Sequence, residues 1–312
     1  MTRALRAARR PLTRTLLRWD TERYDLSTTP VPVIKAGDGK AEVDEAPADY
    51  CATILRNAGF DPDTWFSNFT KFTFLGHGLG DPIHVDLADH LQGIERQFAD
   101  QYGGPDKKPS EAARALGITS VGGSRRSPTS AALSMHLFGL AIDVNYTANP
   151  FISTSANPVF ARAGKLIGET NVAFKGGMSY EQLAFVNNVL QAYFAFIDAP
   201  DEQLERQLKD NTSAPWKGKS AAQARAQIKS DLDLVATKWE RTKAGQKAVI
   251  QATGFMDIDR RFVDGIGLAW GASYGDMMHF DMRNKGNGRK IHQQVEAYKA
   301  VKEQEAKDKA GA

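Results

Sequence analysis

The sequence contains a single cysteine, Cys51, among 312 residues. One cysteine cannot form a disulfide within the chain, so a fold stabilised by intrachain disulfides is excluded. Cys51 lies in a helical pattern, Asp49 to Asn57, without the flanking residues typical of a catalytic cysteine. We therefore predict that it is a buried, small apolar side chain.

The sequence also lacks long apolar runs. No stretch of about 20 apolar residues is present, which argues against a transmembrane helix. The first 20 residues are rich in arginine and contain no apolar run of the about 7–15 residues that a secretory signal needs. These absences predict synthesis in the cytoplasm without a classical signal peptide.

Charge of one sign is not in excess either. The 40 basic and 37 acidic residues leave a net charge of +3, and 42% hydrophobic content is ordinary for a soluble globular protein. A balance this close does not indicate a nucleic-acid partner. Residues 1–46 read as an extended basic arm, and 47–312 as one domain with a helical insertion at about 151–257.

Helical periodicity runs from Pro47 to about Leu116. It is clearest in Ile83 to Tyr102, where apolar residues recur every three or four positions, at Ile83, Leu87, Leu91, Ile94 and Phe98. A shorter helix, Ser110 to Leu116, is predicted with Ser110 as its N-cap. Further helices are expected at 159–167, 180–197, 201–208, 221–244 and, closing the chain, 291–312.

Strand character is confined to four short segments, 118–121, 139–144, 265–270 and 278–282. The combination predicts an α+β fold in which a small antiparallel sheet carries the site and helices pack against it. The helical insertion separates the second strand from the third.

The stretch Ser134 to Asp143 places polar and small residues in a way that packing alone does not explain. If Gly139 to Val144 is a strand, Asp143 shares one face with two small residues, while Leu140, Ile142 and Val144 face the core. His136 lies just before the strand, so its imidazole could converge with Asp143 on one cation.

A second stretch, Trp270 to Asp281, supplies an acid three residues before a histidine. A catalytic zinc takes about three protein ligands and leaves a fourth position for water, whose pKa it lowers to about 7. His136, Asp143 and His279 are the candidate ligands. Asp276 is the candidate general base, and Asp281 is a candidate to orient His279.

The two stretches carry the pattern SxHxxGxAxD followed by [DE]xxH, which resembles the D-alanyl-D-alanine metallopeptidase family. That family belongs with the lysostaphin-type enzymes and hedgehog domains in one group. The resemblance implies that His136, Asp143 and His279 bind zinc and that Asp276 is the catalytic acid/base. Aspartate at this last position is similar to the L-alanyl-D-glutamate endopeptidase branch found in phage endolysins.

The resemblance also implies an arginine that stabilises the oxyanion, and SVGGSRRS at Ser120 to Ser127 is the similar context. It offers Arg126, or its neighbour Arg125, and Ser134 is carried over as a substrate-contacting residue. The implied substrate is a peptidoglycan stem peptide. Whether the enzyme is an endopeptidase or a D,D- or L,D-carboxypeptidase stays open.

A different class of function also fits these residues, namely a non-catalytic, zinc-stabilised module that binds cell wall or a protein partner. For the enzyme, action on the wall follows release by phage lysis or delivery by a secretion or injection apparatus. The remaining histidines His77, His84, His90 and His292 are expected to be structural or at the surface, because their spacing is poor for a second metal site.

Overall fold

The structure is a computed structural model. It describes residues 47–123, 134–146, 148–149, 201–210, 218–236 and 256–311, together with some of the residues between 180 and 200. Within those residues it contains eight α-helices and small antiparallel sheets, so the predicted α+β class is confirmed. The predicted arm at 1–46 and the predicted helix at 159–167 lie outside the described residues.

The first part of the domain alternates helices with very short strands. The helices are α1 (Pro47–Asn57), α2 (Pro62–Ser67), α3 (Val85–Tyr102) and α4 (Pro109–Ala115), and the strands are β1 (Phe69–Thr70), β2 (Thr73–Phe74), β3 (His77–Gly78) and β4 (Ile83–His84). Strand β1 pairs with β4, and β2 with β3, both antiparallel.

Two predictions for this part were wrong in detail. The long helix was predicted to begin at Ile83, but Ile83 belongs to β4 and His84 is the N-cap of α3. Ser110 is not the N-cap of α4. Pro109 takes the first helical position, where its missing N–H is harmless, and Lys108 becomes the cap residue.

A four-stranded antiparallel sheet positions the site. Its strands are β5 (Val121–Gly122), β6 (Ala141–Val144), β7 (Ala269–Trp270) and β8 (His279–Asp281), in the order β5-β6-β8-β7. Asp143 lies opposite Gly122 on one side and opposite His279 on the other. The strand predicted from Gly265 was wrong at its start, because α7 (Arg260–Ile266) ends at Gly267, which has a left-handed φ of 63°.

The hydrophobic core lies on one face of this sheet. Leu140, Ile142 and Val144 are completely buried, as predicted, and Phe280 of β8 is completely buried as well. The predicted apolar face of α3 is buried at Leu87, Leu91 and Phe98, while Ile94 packs at its edge. Cys51 is buried in the same core, which confirms its predicted environment.

The described part of the insertion consists of α5 (Asp201–Asp210), α6 (Ala221–Ala236) and scattered helical residues from Tyr180. The chain closes with α8 (Gly286–Gly311), which begins five residues earlier than predicted. None of the helices in the described residues is both long and apolar enough to cross a membrane.

Candidate metal centre

A single 3-10 turn, Met135–Phe138, presents His136. The hydroxyl of Ser134 accepts a hydrogen bond from the backbone N–H of His136 at 3.3 Å and so caps the turn. Gly139 ends it with a left-handed φ of 68°. A Cβ on Gly139 would lie 2.6 Å from the backbone nitrogen of His84 and from the ring of Phe69, so only glycine fits here.

Asp143 and His279 reach the same place from adjacent strands. Residues directly opposite in an antiparallel pair project to the same face of the sheet, and Asp143 of β6 is paired with His279 of β8. The structure thus brings together the three predicted ligands, and each of them is at most 4% exposed.

The donor atoms of the three residues form a compact triangle. Nε2 of His136 lies 3.1 Å from Oδ1 of Asp143 and 3.0 Å from Nδ1 of His279, and the third side is 3.6 Å. Zinc ligands at about 2.0–2.2 Å in tetrahedral geometry are separated from one another by about 3.3 Å. The triangle matches that spacing, so the group could hold a metal ion.

Burial and neighbouring groups act in opposite directions on the pKa values of Asp143 and His279. Burial alone would raise the pKa of Asp143, but the two histidines outweigh it and hold that pKa far below its usual range. Burial lowers the pKa of His279, yet its hydrogen bonds to Asp143 and Asp281 prevail and raise the pKa to about 10. The Asp143 carboxylate is therefore ionised, and a metal ion bound by the group would displace the proton of His279.

Asp281 orients His279 from behind, as predicted. Nε2 of His279 contacts Oδ2 of Asp281 at 2.8 Å, which leaves Nδ1 to face His136 and Asp143. Asp281 is completely buried and is itself held by Arg283, through the backbone N–H at 2.9 Å and through Nε at 2.8 Å from Oδ1. A carboxylate–histidine pair of this kind fixes both tautomer and ring orientation.

Asp276 lies in the turn that leads into β8. Its backbone N–H donates to the carbonyl of Gly271 at 3.0 Å, and its own carbonyl accepts from the N–H of His279 at 3.4 Å. The side chain is half-buried, and its charge helps to raise the pKa of His279. The predicted base therefore borders the triangle without being one of its corners.

Two asparagines that the sequence reasoning missed join the two halves of the site. The side chain of Asn145 accepts from the N–H of Thr119 and donates to the carbonyls of Gly117 and Asp257, each at 2.8 Å. Asn149 donates to Asp257 as well and accepts from its N–H at 2.7 Å. Asn145 has a φ of 48°, a conformation that asparagine tolerates better than most residues.

The other predicted site residues have different outcomes. Arg125 and Arg126 lie outside the described residues. Ser134 caps the turn that carries His136, and its contact with substrate stays a prediction. His84 is structural, as expected, because its ring stacks on Trp65 with centroids 3.7 Å apart and its Nδ1 caps α3.

Comparison of the chain with protein-family models, with curated proteins and with solved structures finds no match in any of the three.

Proposed function

We propose that this protein is a zinc-dependent peptidase that hydrolyses peptide bonds in peptidoglycan stem peptides. The observation that supports the proposal most strongly is the buried triangle of His136, Asp143 and His279, with an acidic side chain, Asp276, at its border. Two imidazole nitrogens and one carboxylate oxygen are a donor set that suits zinc.

Separate residues serve metal binding, proton transfer and oxyanion stabilisation in the proposed reaction. When bound, zinc supplies a Lewis acid for the substrate carbonyl and lowers the pKa of the attacking water. His136, Asp143 and His279 would hold the cation, and Asp281 keeps His279 in the orientation needed for binding. Asp276 accepts the proton of the water and passes it to the leaving amine. Arg126 or Arg125 stabilises the oxyanion in the same scheme.

The substrate class follows from the resemblance of the two motifs, and the aspartate at position 276 favours the endopeptidase branch. A carboxypeptidase that releases a terminal D-alanine uses the same centre and differs in the bond that is cut. Action on peptidoglycan places the working protein at the cell wall, after release by lysis or delivery by a secretion or injection apparatus.

Near-complete burial of the three ligand residues favours a second candidate, a metal that stabilises a binding module without catalysis. Structural zinc sites have four protein ligands, however, and the described residues bring only three into the group. A binding module needs no general base, so the half-buried acid beside His279 favours the enzyme.

Digestion of purified peptidoglycan, followed by mass spectrometry of the muropeptides, tests the proposal. We expect cleaved stem peptides with the zinc-loaded protein, loss of cleavage after chelation, and recovery when zinc is restored. The masses report which bond is cut, since free D-alanine marks a carboxypeptidase and a split stem or cross-link marks an endopeptidase. Intact muropeptides in every sample would exclude a peptidoglycan hydrolase.

A further inference from the structure

Tyr146 follows the metal-ligand strand and presents its ring to solvent. It lies three residues after Asp143, just beyond the end of β6. Its exposed fraction is 43%, and among the described residues only one other large apolar side chain, Val301, is exposed to a comparable degree. A tyrosine ring exposed this close to a candidate centre can contact a ligand through its apolar face.

The position of the ring follows from the register of β5 and β6. Gly122 is directly opposite Asp143, so a side chain at Gly122 would project to the same face as the Asp143 carboxylate. A Cβ atom at Gly122 would lie 3.7 Å from Cδ1 and Cε1 of Tyr146. The ring of Tyr146 therefore covers Gly122 on the metal-binding face of the sheet.

The separation of the ring from the centre can be bounded. Opposite Cβ atoms in an antiparallel pair are about 5 Å apart, so the near edge of the ring lies within about 9 Å of the Cβ of Asp143. A peptide extends about 3.3–3.6 Å per residue. That bound corresponds to at most about three residues of an extended substrate, measured from Asp143.

The backbone that carries Tyr146 is held in place. Asn145, its neighbour, is completely buried and is bonded through its side chain to Gly117, Thr119 and Asp257. A ring on an anchored backbone loses little freedom when a ligand stacks on it, which favours its use in binding.

We propose that Tyr146 is a substrate-binding residue, and that its ring packs against the peptide within about three residues of the bond that is cut. The inference rests on the proposed peptidase function. The exposed face of a tyrosine ring suits the planar amide groups and apolar side chains of a peptide. Tyr146 thereby influences which residues are accepted near the reacting carbonyl.

Binding to an inactive variant tests this without turnover. In an Asp276→Ala background, calorimetry with a synthetic stem peptide is compared for Tyr146, Tyr146→Phe and Tyr146→Ala, with Val301→Ala as the control for removal of an exposed apolar side chain. We expect binding about 10-fold weaker for Tyr146→Ala, and little change for Tyr146→Phe or Val301→Ala. Equal affinity for all four proteins would overturn the inference.

A second pair of probes separates this inference from the proposed function. Acetohydroxamate binds a zinc centre but is too small to reach the ring, whereas a tripeptide hydroxamate is long enough to do so. For the zinc-loaded protein we expect Tyr146→Ala to weaken binding of the tripeptide hydroxamate alone, by about 10-fold. That result supports the inference even if stem peptides are neither bound nor cut. Equal affinities of wild type and Tyr146→Ala for both hydroxamates would contradict it, whatever the natural substrate.

Discussion

Replacement of Asp281 by asparagine should weaken metal binding without unfolding the protein. Asp281 has no exposed surface, and its Oδ2 lies 2.8 Å from Nε2 of His279 while Oδ1 accepts from Arg283. Asparagine has nearly the same shape, but its single oxygen can accept from only one side, and its NH₂ then faces another donor. His279 loses the charge that favours its metal-binding tautomer.

The expected loss in zinc affinity is about 10–100-fold, the usual effect of removing the carboxylate behind a histidine ligand. This equals about 1.4–2.7 kcal/mol of binding free energy. Competition against a chromophoric zinc chelator measures it directly. Thermal unfolding of the metal-free proteins, followed by circular dichroism, shows separately how far the substitution changes the stability of the fold.

Asp264→Asn is a matched control, because Asp264 forms an exposed ion pair with Arg260, and Asp264 is 63% exposed. It should leave zinc affinity within about twofold, since surface pairs contribute little. If Asp281→Asn binds zinc as tightly as the wild type while remaining folded, the orienting role assigned to Asp281 is wrong.

Three further predictions follow from other parts of the structure. Asp276→Ala should lower kcat for stem-peptide cleavage by at least about 100-fold while zinc content stays at one per chain, because a general base contributes about 10²–10⁴-fold; retained turnover would remove Asp276 from the mechanism. Gly139→Ala should lower the free energy of unfolding by about 2–5 kcal/mol, since strain at positive φ and a forced contact at 2.6 Å combine. Gly59→Ala, also at positive φ but with nothing within 4 Å, should show only the about 1–2 kcal/mol of strain in chemical denaturation, and equal losses for both would refute the packing argument. Burial lowers the pKa of His84 despite the nearby Asp86, so below the unfolded-state pKa of about 6.5 the unfolded chain takes up a proton that the folded protein does not. The free energy of unfolding should therefore fall on acidification from pH 7.5 to 5.5, and it should fall by less in His84→Asn. An equal fall in both proteins would contradict the assignment to His84.

The ligand set could be predicted because its information is local in sequence. Asp143 follows His136 by seven residues, His279 follows Asp276 by three, and both stretches run into strands. Turn and strand geometry over so few residues leaves few ways to place the side chains. The orienting role of Asp281 follows similarly from the alternation of side chains along β8.

Other features depend on contacts between distant residues, so a local pattern does not contain them. Strands β1 to β4 are two residues each, too short for an alternating pattern to show within a helical background. Gly265 and Ile266 were predicted to begin a strand, but they form the last turn of α7, whose Phe262 packs against the distant Phe98. Asn145 has a partner 112 positions away in Asp257.

Titration of zinc into the metal-free protein, with stem-peptide cleavage measured at each addition, tests the central claim most directly. We predict no cleavage without metal, a linear rise, and a plateau at one equivalent of zinc, with His136→Ala showing no rise at the same concentrations. Cleavage that persists in the metal-free protein, or that is absent once one zinc is bound at the centre, would contradict a zinc-dependent peptidase.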